Sequence, residues 1–215
     1  IAPKQKSFFF PWAGQLISRS GYDKLAHWTF FDVGPWGSGH QHQDKLHFSI
    51  SAYGYDFLVD SGRFAYKGIV ADKFRSFARG SSAHNVVLID KKNQGPGLEK
   101  TLSPKSIDRY SIRKDYDYAS GTFNNFLELK GEAEHSRALL YVRNKFWLVL
   151  DHFLTDRPRN LKFLWHWHPK CKVIEESINT RGIIDKKSLI IIPLSDENFK
   201  ISQIFGQENP TIQGW

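Results

Sequence analysis

His40, His42, Asp44, Asp60 and His84 gather most of the potential chemistry of this chain into GSGHQHQDKLHFSISAYGYDFLVDSGRFAY and the following SSAHNVVLID. Imidazole nitrogens and carboxylate oxygens are the donor set of a divalent transition metal, zinc first. On a strand, residues two apart share a face, so the spacing predicts that His40 and His42 project together from one side of a sheet. Asp60 closes the apolar run FLVD and His84 opens another after SSA, so three neighbouring strands would bring imidazole, carboxylate and imidazole to one point. A lone HxH means little, because exposed histidines at that spacing are common. The company of Asp44, His47, Asp60 and His84 means more, since a buried carboxylate or imidazole needs a partner and a metal is one such partner.

The elements that must position these groups read as strands. Period-two alternation recurs over 46–51, 55–60, 85–90, 122–130, 137–143, 145–153, 161–168 and 188–194. Arg143 and Asn144 interrupt two of these runs, and Asn tolerates the positive φ of a tight hairpin. One stretch, Val70 to Arg79, carries apolar residues at Val70, Phe74 and Phe77 among basic ones, which predicts a short surface helix or an ordered loop. Many short strands with at most one short helix predict an all-β fold, a two-sheet antiparallel β-sandwich of supersandwich-like type. No Gly-rich or charged break is long enough to link independent domains.

With 215 residues, 40% of them hydrophobic, the chain can bury a core without disulfide staples. Cys171 is the only cysteine, which excludes an internal disulfide and a cysteine-based zinc site. Thirty Lys and Arg against 22 Asp and Glu give a net charge of +8, so a polyanion is a natural partner. The basic residues are scattered and no nucleic-acid-binding signature is present, which leaves an acidic polysaccharide ahead of nucleic acid. Neither a membrane span nor a signal peptide is visible, and the missing initiator methionine reads as an excised piece.

HxHxD, LVDSG and AHN in combination, followed by RALLYVRNKFWLVLDHF and FLWHWHP, resemble the C-terminal β-sandwich domain of heparinase II/III-like polysaccharide lyases, with PTIQGW similar to a later family element. The resemblance implies that residues 1–215 are that domain, truncated, and that an N-terminal incomplete (α/α) toroid lies outside the chain. It implies β-elimination at a uronate-containing acidic polysaccharide, of heparan sulfate, heparin or alginate type, in a cleft between toroid and sandwich. A tyrosine, an asparagine and a histidine of the toroid would share that work, so this fragment alone would be inactive. Carried over residue by residue, His40 is catalytic, His42, Asp60 and His84 hold zinc, whether catalytic or structural, and Asp44 stands behind them fixing an imidazole tautomer. A periplasmic or secreted location is likewise implied.

Around that site, Arg75 and Arg79 in FRSFARGSS are candidates to hold a uronate carboxylate or a sulfate, with a solvated loop as the alternative. Tyr66 is a candidate proton donor, or else a core tyrosine. His47, His135, His152, His166 and His168 read as structural. Two rivals stand beside the lyase. One is a cupin-type metalloenzyme, suggested by Gly34, the HxH and Gly54, although histidine stands at 47 where a cupin needs glutamate. The other is a non-catalytic carbohydrate-binding sandwich with a structural metal, for which seven tryptophans supply sugar platforms.

Overall fold

The computed structural model describes residues 3–100, 109–195 and 199–214. Trp215, at the end of PTIQGW, lies outside them. An antiparallel meander comes first: β1 (Phe8–Phe10), β2 (Gln15–Arg19), β3 (Trp28–Asp32), β4 (Phe48–Ala52) and β5 (Tyr55–Leu58), in spatial order. After β5 the chain forms α1 (Ile69–Arg79), a 3-10 turn at Ser81–Ala83, and β6 (Val87–Ile89). A second meander follows, of β7 (Tyr110–Ile112), β8 (Tyr116–Phe123), β9 (Ala133–Val142) and β10 (Phe146–Thr155). Then β11 (Leu161–Phe163) pairs with β6, and β12 (Lys172–Glu176), β13 (Asn179–Ile184) and β14 (Lys187–Ile191) make a three-stranded sheet.

Alternation drives the stacking. β9 buries every second residue along its length, and β2, β3 and β4 do the same, so each of these sheets presents an apolar face. Leu16, Phe31, Phe48 and Ile50 of the first sheet share one core with Ala119 and Leu139 of the second. Burying such side chains contributes roughly 1.5–3 kcal/mol each. This is an all-β fold of antiparallel sheets with one α-helix among the described residues. Gly121 of β8 shows how closely the layers approach, because a Cβ there would lie 2.7 Å from Val33 Cβ and 2.9 Å from Leu46 Cδ2. Val33 and Leu46 flank the loop that carries the HxH pair, so this contact sets the height of that loop over the second sheet.

The sequence signals hold in kind and shift at their edges. Asn144 adopts φ 60° in the β9–β10 turn, as the hairpin reading required. The helix forms where expected, beginning one residue earlier, with Asp72 in its first turn and Arg79 in its last, both favourable to the helix dipole. The strand expected over 122–130 ends at Phe123, because Asn124 onward turns toward Gln94 and leaves the alternation to a loop. The 161–168 run is a three-residue strand continued by a bridge from Trp167 to Leu58.

Candidate functional site

Residues 33–47 connect β3 to β4 as a loop, which corrects the expectation of an HxH strand. His40 adopts φ 59° and is exposed, while His42 is half-buried, so the two imidazoles do not share a pleated face. Side chains far away in sequence shape this loop. Gln94, almost fully buried, accepts from the Lys45 amide at 3.0 Å and donates to the Lys45 carbonyl at 2.8 Å. Ser81 Oγ donates to the Gln43 carbonyl at 2.7 Å, and the Gln43 amide donates to the Arg79 carbonyl at 2.9 Å. The end of α1 and the 3-10 turn therefore clamp the loop that carries His42 and Asp44.

A buried asparagine fixes the floor of the site. Asn85 Nδ2 donates to the carbonyls of Phe48 (2.8 Å) and Val59 (3.1 Å), and its Oδ1 accepts from the His166 amide at 2.5 Å. Its own amide donates to His47 Nδ1 at 2.9 Å. Behind it, Arg137 donates to the Asn85 carbonyl at 2.7 Å and the Leu46 carbonyl at 3.0 Å, while Asp151 holds the guanidinium in a two-pronged pair. Sequence reasoning missed Gln94, Asn85 and Arg137. Asn85 had a signal, as the last letter of AHN; the other two had none, because Gln94 binds backbone atoms of a distant segment and Arg137 joins two such carbonyls to Asp151 on the neighbouring strand.

His84 is fully buried at the centre. Its Nδ1 lies 2.7 Å from Asp60 Oδ2, and its ring centroid lies 5.4 Å from that of His42 and 5.7 Å from that of His47. Two sets of donor atoms cluster within 4.8 Å of one another, His42 with Asp44 and His84, and His47 with Asp60 and His84. The second set is occupied by hydrogen bonding. His47 Nδ1 accepts from the Asn85 amide, so in the neutral ring Nε2 carries the proton and points to Ser49 Oγ at 2.9 Å and Asp60 at 3.7 Å. Burial drives the His47 imidazole down to about 3, which keeps it neutral.

The first set is different. With Nδ1–H donating to the Asp60 carboxylate, the lone pair of neutral His84 sits on Nε2, a buried atom without a hydrogen-bond partner among the described residues. A carboxylate behind one nitrogen and a bare second nitrogen are what a metal-binding histidine requires. Burial pushes the Asp60 carboxyl up, but the hydrogen bond and charge of His84, the charge of His47 and the Gly62 amide together bring it to about 2. Burial raises Asp44, partly offset by His84 and His42, and burial lowers His42. The residues present thus fit a divalent cation. Asp44, expected behind the ligands, groups with His42 and His84, while Asp60 stands behind His84.

Beside this centre His40, Gln41, His42, Arg63, Arg75 and Arg79 line a hollow of about 230 Å³. Tyr66 is exposed and no core residue; its ring meets His40 edge-on at 6.1 Å and carries the guanidinium of Arg63 over its face. Arg75 donates to the Tyr66 carbonyl and Arg79 to the Gln41 carbonyl, each at 3.0 Å, so the two are tethered to the site. His166 is half-buried with Nε2 at 3.1 Å from the Ser82 carbonyl, and His168 accepts from the Lys170 amide, in keeping with structural roles.

An antiparallel sandwich whose loops converge on imidazoles, carboxylates and arginines defines the class, and comparison with known proteins places the chain within it. Residues 2–203 match the family described as Heparinase II/III-like, C-terminal, and the chain belongs to that family. It is 24% identical over 207 residues to a heparin-sulfate lyase of Pedobacter heparinus, covering 91% of this chain and 30% of that protein. Its fold is similar to the crystal structure of heparan sulfate lyase HepC from Pedobacter heparinus, with a TM-score of 0.77 at 23% identity over 92% of this chain and 30% of that one. A heparinase III structure matches with a TM-score of 0.62 at 18% identity, over 85% and 28% of the two chains. The chain therefore spans about 30% of the length of these relatives. Family membership and a loop-borne HxH together displace the cupin alternative.

Proposed function

We propose that this chain is the β-sandwich part of a polysaccharide lyase that cleaves a uronate-containing acidic glycan, of heparan sulfate or heparin type with alginate as the further candidate, by β-elimination. The carrying observation is the joint lining of one open hollow by His40, Arg63, Arg75 and Arg79. Elimination needs a base for the proton beside the carboxylate, positive charge for the enolate that develops, and an acid for the departing glycosidic oxygen. Arg75 and Arg79 supply positive charge that holds an acidic group of the glycan, a carboxylate or a sulfate; His40, exposed at the rim, moves a proton or donates to the uronate carboxylate. Tyr66, beside His40, is the second candidate donor. The remaining groups come from an N-terminal (α/α) toroid in the longer protein, which acts in the periplasm or outside the cell.

Zinc is the proposed cation, and in this reading its ligands are His42, Asp44 and His84, with Asp60 orienting His84. The ligand set implied by resemblance, His42, Asp60 and His84, would require Asp60 to exchange its bond to His84 Nδ1 for the metal. The ion would supply a fixed positive charge that stiffens the loop between β3 and β4. The deciding experiment incubates the full-length protein with heparan sulfate, heparin and alginate and follows the ultraviolet absorbance of the unsaturated product. A rise with one of them, lost in His40→Ala, is the expected result. Absence of a rise with all three refutes the lyase reading, and full activity of His40→Ala refutes the role of His40.

A further inference from the structure

Arg63 follows β5 and lies three residues before Tyr66. It lines the same hollow as Arg75 and Arg79, so three guanidinium groups and the imidazoles of His40 and His42 face one space of about 230 Å³. No carboxylate among the described residues lines it; Asp72, four residues after Gly68, lines an adjoining hollow that shares Gln41, Arg75 and Arg79. Arg75 and Arg79 are each anchored by one bond to a backbone carbonyl, and a guanidinium has five N–H donors, so each keeps donors for a ligand. Arg63 packs over the Tyr66 ring, with its Cζ 2.8 Å from the ring centroid, and Arg75 Cζ lies 5.6 Å from the same centroid. Arg63 Nη2 is buried and has no hydrogen-bond partner among the described residues.

An orphaned buried donor and three like charges in one hollow are each unfavourable without an anion. The shape of the donor set narrows the anion. A uronate carboxylate is planar with two oxygens, and a single guanidinium fork satisfies it. A sulfo group offers three oxygens splayed out of one plane and accepts from several directions at once. We propose that Arg63, Arg75 and Arg79 form a receptor for a sulfo group of the glycan, with Arg63 as a specificity-determining residue that makes cleavage sulfation-dependent. The inference rests on the lyase reading above and goes beyond it in naming the group recognised.

The test measures kcat/KM of the full-length protein on heparan sulfate and on its unsulfated N-acetylated backbone polymer, for the natural sequence, Arg63→Ala and Arg63→Lys. A charge-assisted hydrogen bond supports a preference of about tenfold for the sulfated glycan. That ratio should collapse in Arg63→Ala and fall part way in Arg63→Lys, which keeps the charge and loses the fork. Thermal melting of both variants separates loss of recognition from loss of fold, and the lysine variant preserves the comparison if the alanine variant melts early. Equal cleavage of both polymers by the natural sequence overturns this inference and leaves the lyase reading intact. So does a loss in Arg63→Ala and Arg63→Lys of equal size on the two polymers. Cleavage of neither polymer overturns both the inference and the heparan sulfate assignment.

Discussion

Replacing Arg137 by leucine should unfold much of what supports the site. Arg137 is 1% exposed on β9 and makes four hydrogen bonds, two to Asp151 on β10 and one each to the carbonyls of Leu46 and Asn85. Removing one partner of a buried ion pair costs about 3–5 kcal/mol, because the remaining charge is left uncompensated. Each buried carbonyl left without a donor adds about 1–3 kcal/mol. These terms overlap, and His135 Nε2, 2.6 Å from Asp151 Oδ1, retains part of the carboxylate's support. A loss of about 4–6 kcal/mol is therefore expected, a large share of the 5–15 kcal/mol typical of a domain. Urea unfolding of Arg137→Leu, Asp151→Asn and the double variant forms the cycle, and the double variant should be no less stable than Arg137→Leu, since its stranded charge is gone. A change within about 1 kcal/mol for Arg137→Leu would refute the reasoning, because it would mean that the guanidinium adds nothing beyond its packing. The pair also sets an acid limit. Burial pushes the Asp151 carboxyl up, but the Arg137 charge and the bonds from His135 and Arg137 bring it below the usual range. Its contribution is thus present above the unfolded carboxylate pKa and lost as pH falls through the folded value.

Asp32 has the opposite sign: burial, then the Asp44 charge, raises its carboxyl to about 7, so metal-free protein should lose stability as pH rises from about 4 to 7, by at most about 1.4 kcal/mol per pH unit. Asp32→Asn should flatten that slope in melts taken across the range; an unchanged slope would contradict the raised value. Removing zinc with a chelator should lower the melting temperature, and zinc should restore it; indifference to both would deny the site. Titration with zinc should show Asp60→Asn weakened about 10–100-fold, as for a group behind a ligand, and Asp44→Asn weakened more; the reverse order would favour Asp60 as the ligand. Gly121→Val should destabilise by about 1–3 kcal/mol or more by overpacking against Val33 and Leu46, read by urea denaturation; wild-type stability would refute the close approach.

The legible part of this molecule was what alternation and motif could carry. Period-two runs at 46–51, 137–143 and 145–153 correspond to β4, β9 and β10, with their ends shifted by one to four residues, and the Asn144 turn formed between the last two. β1, β2 and β3 passed unremarked, since FFF and the short WTFFD give a weak alternation beside the longer runs, and their pairing with one another is what makes them strands. The same limit applies in the site. His42, Asp60 and His84 were visible as donors, but which atom of His84 faces which carboxylate follows from the positive φ of His40 and Leu46 and from a loop held by Gln94 and Ser81.

That loop explains why two carboxylates of one type take different parts. Asp60 lies two residues past the end of β5 and its Oδ1 accepts from the Gly62 amide, so its Oδ2 meets the Nδ1 edge of His84. Asp44 arrives from the other side, on a segment whose carbonyl accepts from the His47 amide, and clusters with His42 and His84. A strand would have fixed both by register alone. A loop clamped to α1 and to the 3-10 turn instead makes the geometry of the cation site depend on Ser81 and on Arg79, which also lines the arginine hollow. Filling that hollow with an anion pulls on Arg79, and Arg79 holds Gln41 and Gln43 on either side of His42. Cation and glycan should therefore strengthen each other's binding, by the same factor in either order of addition, as linkage requires.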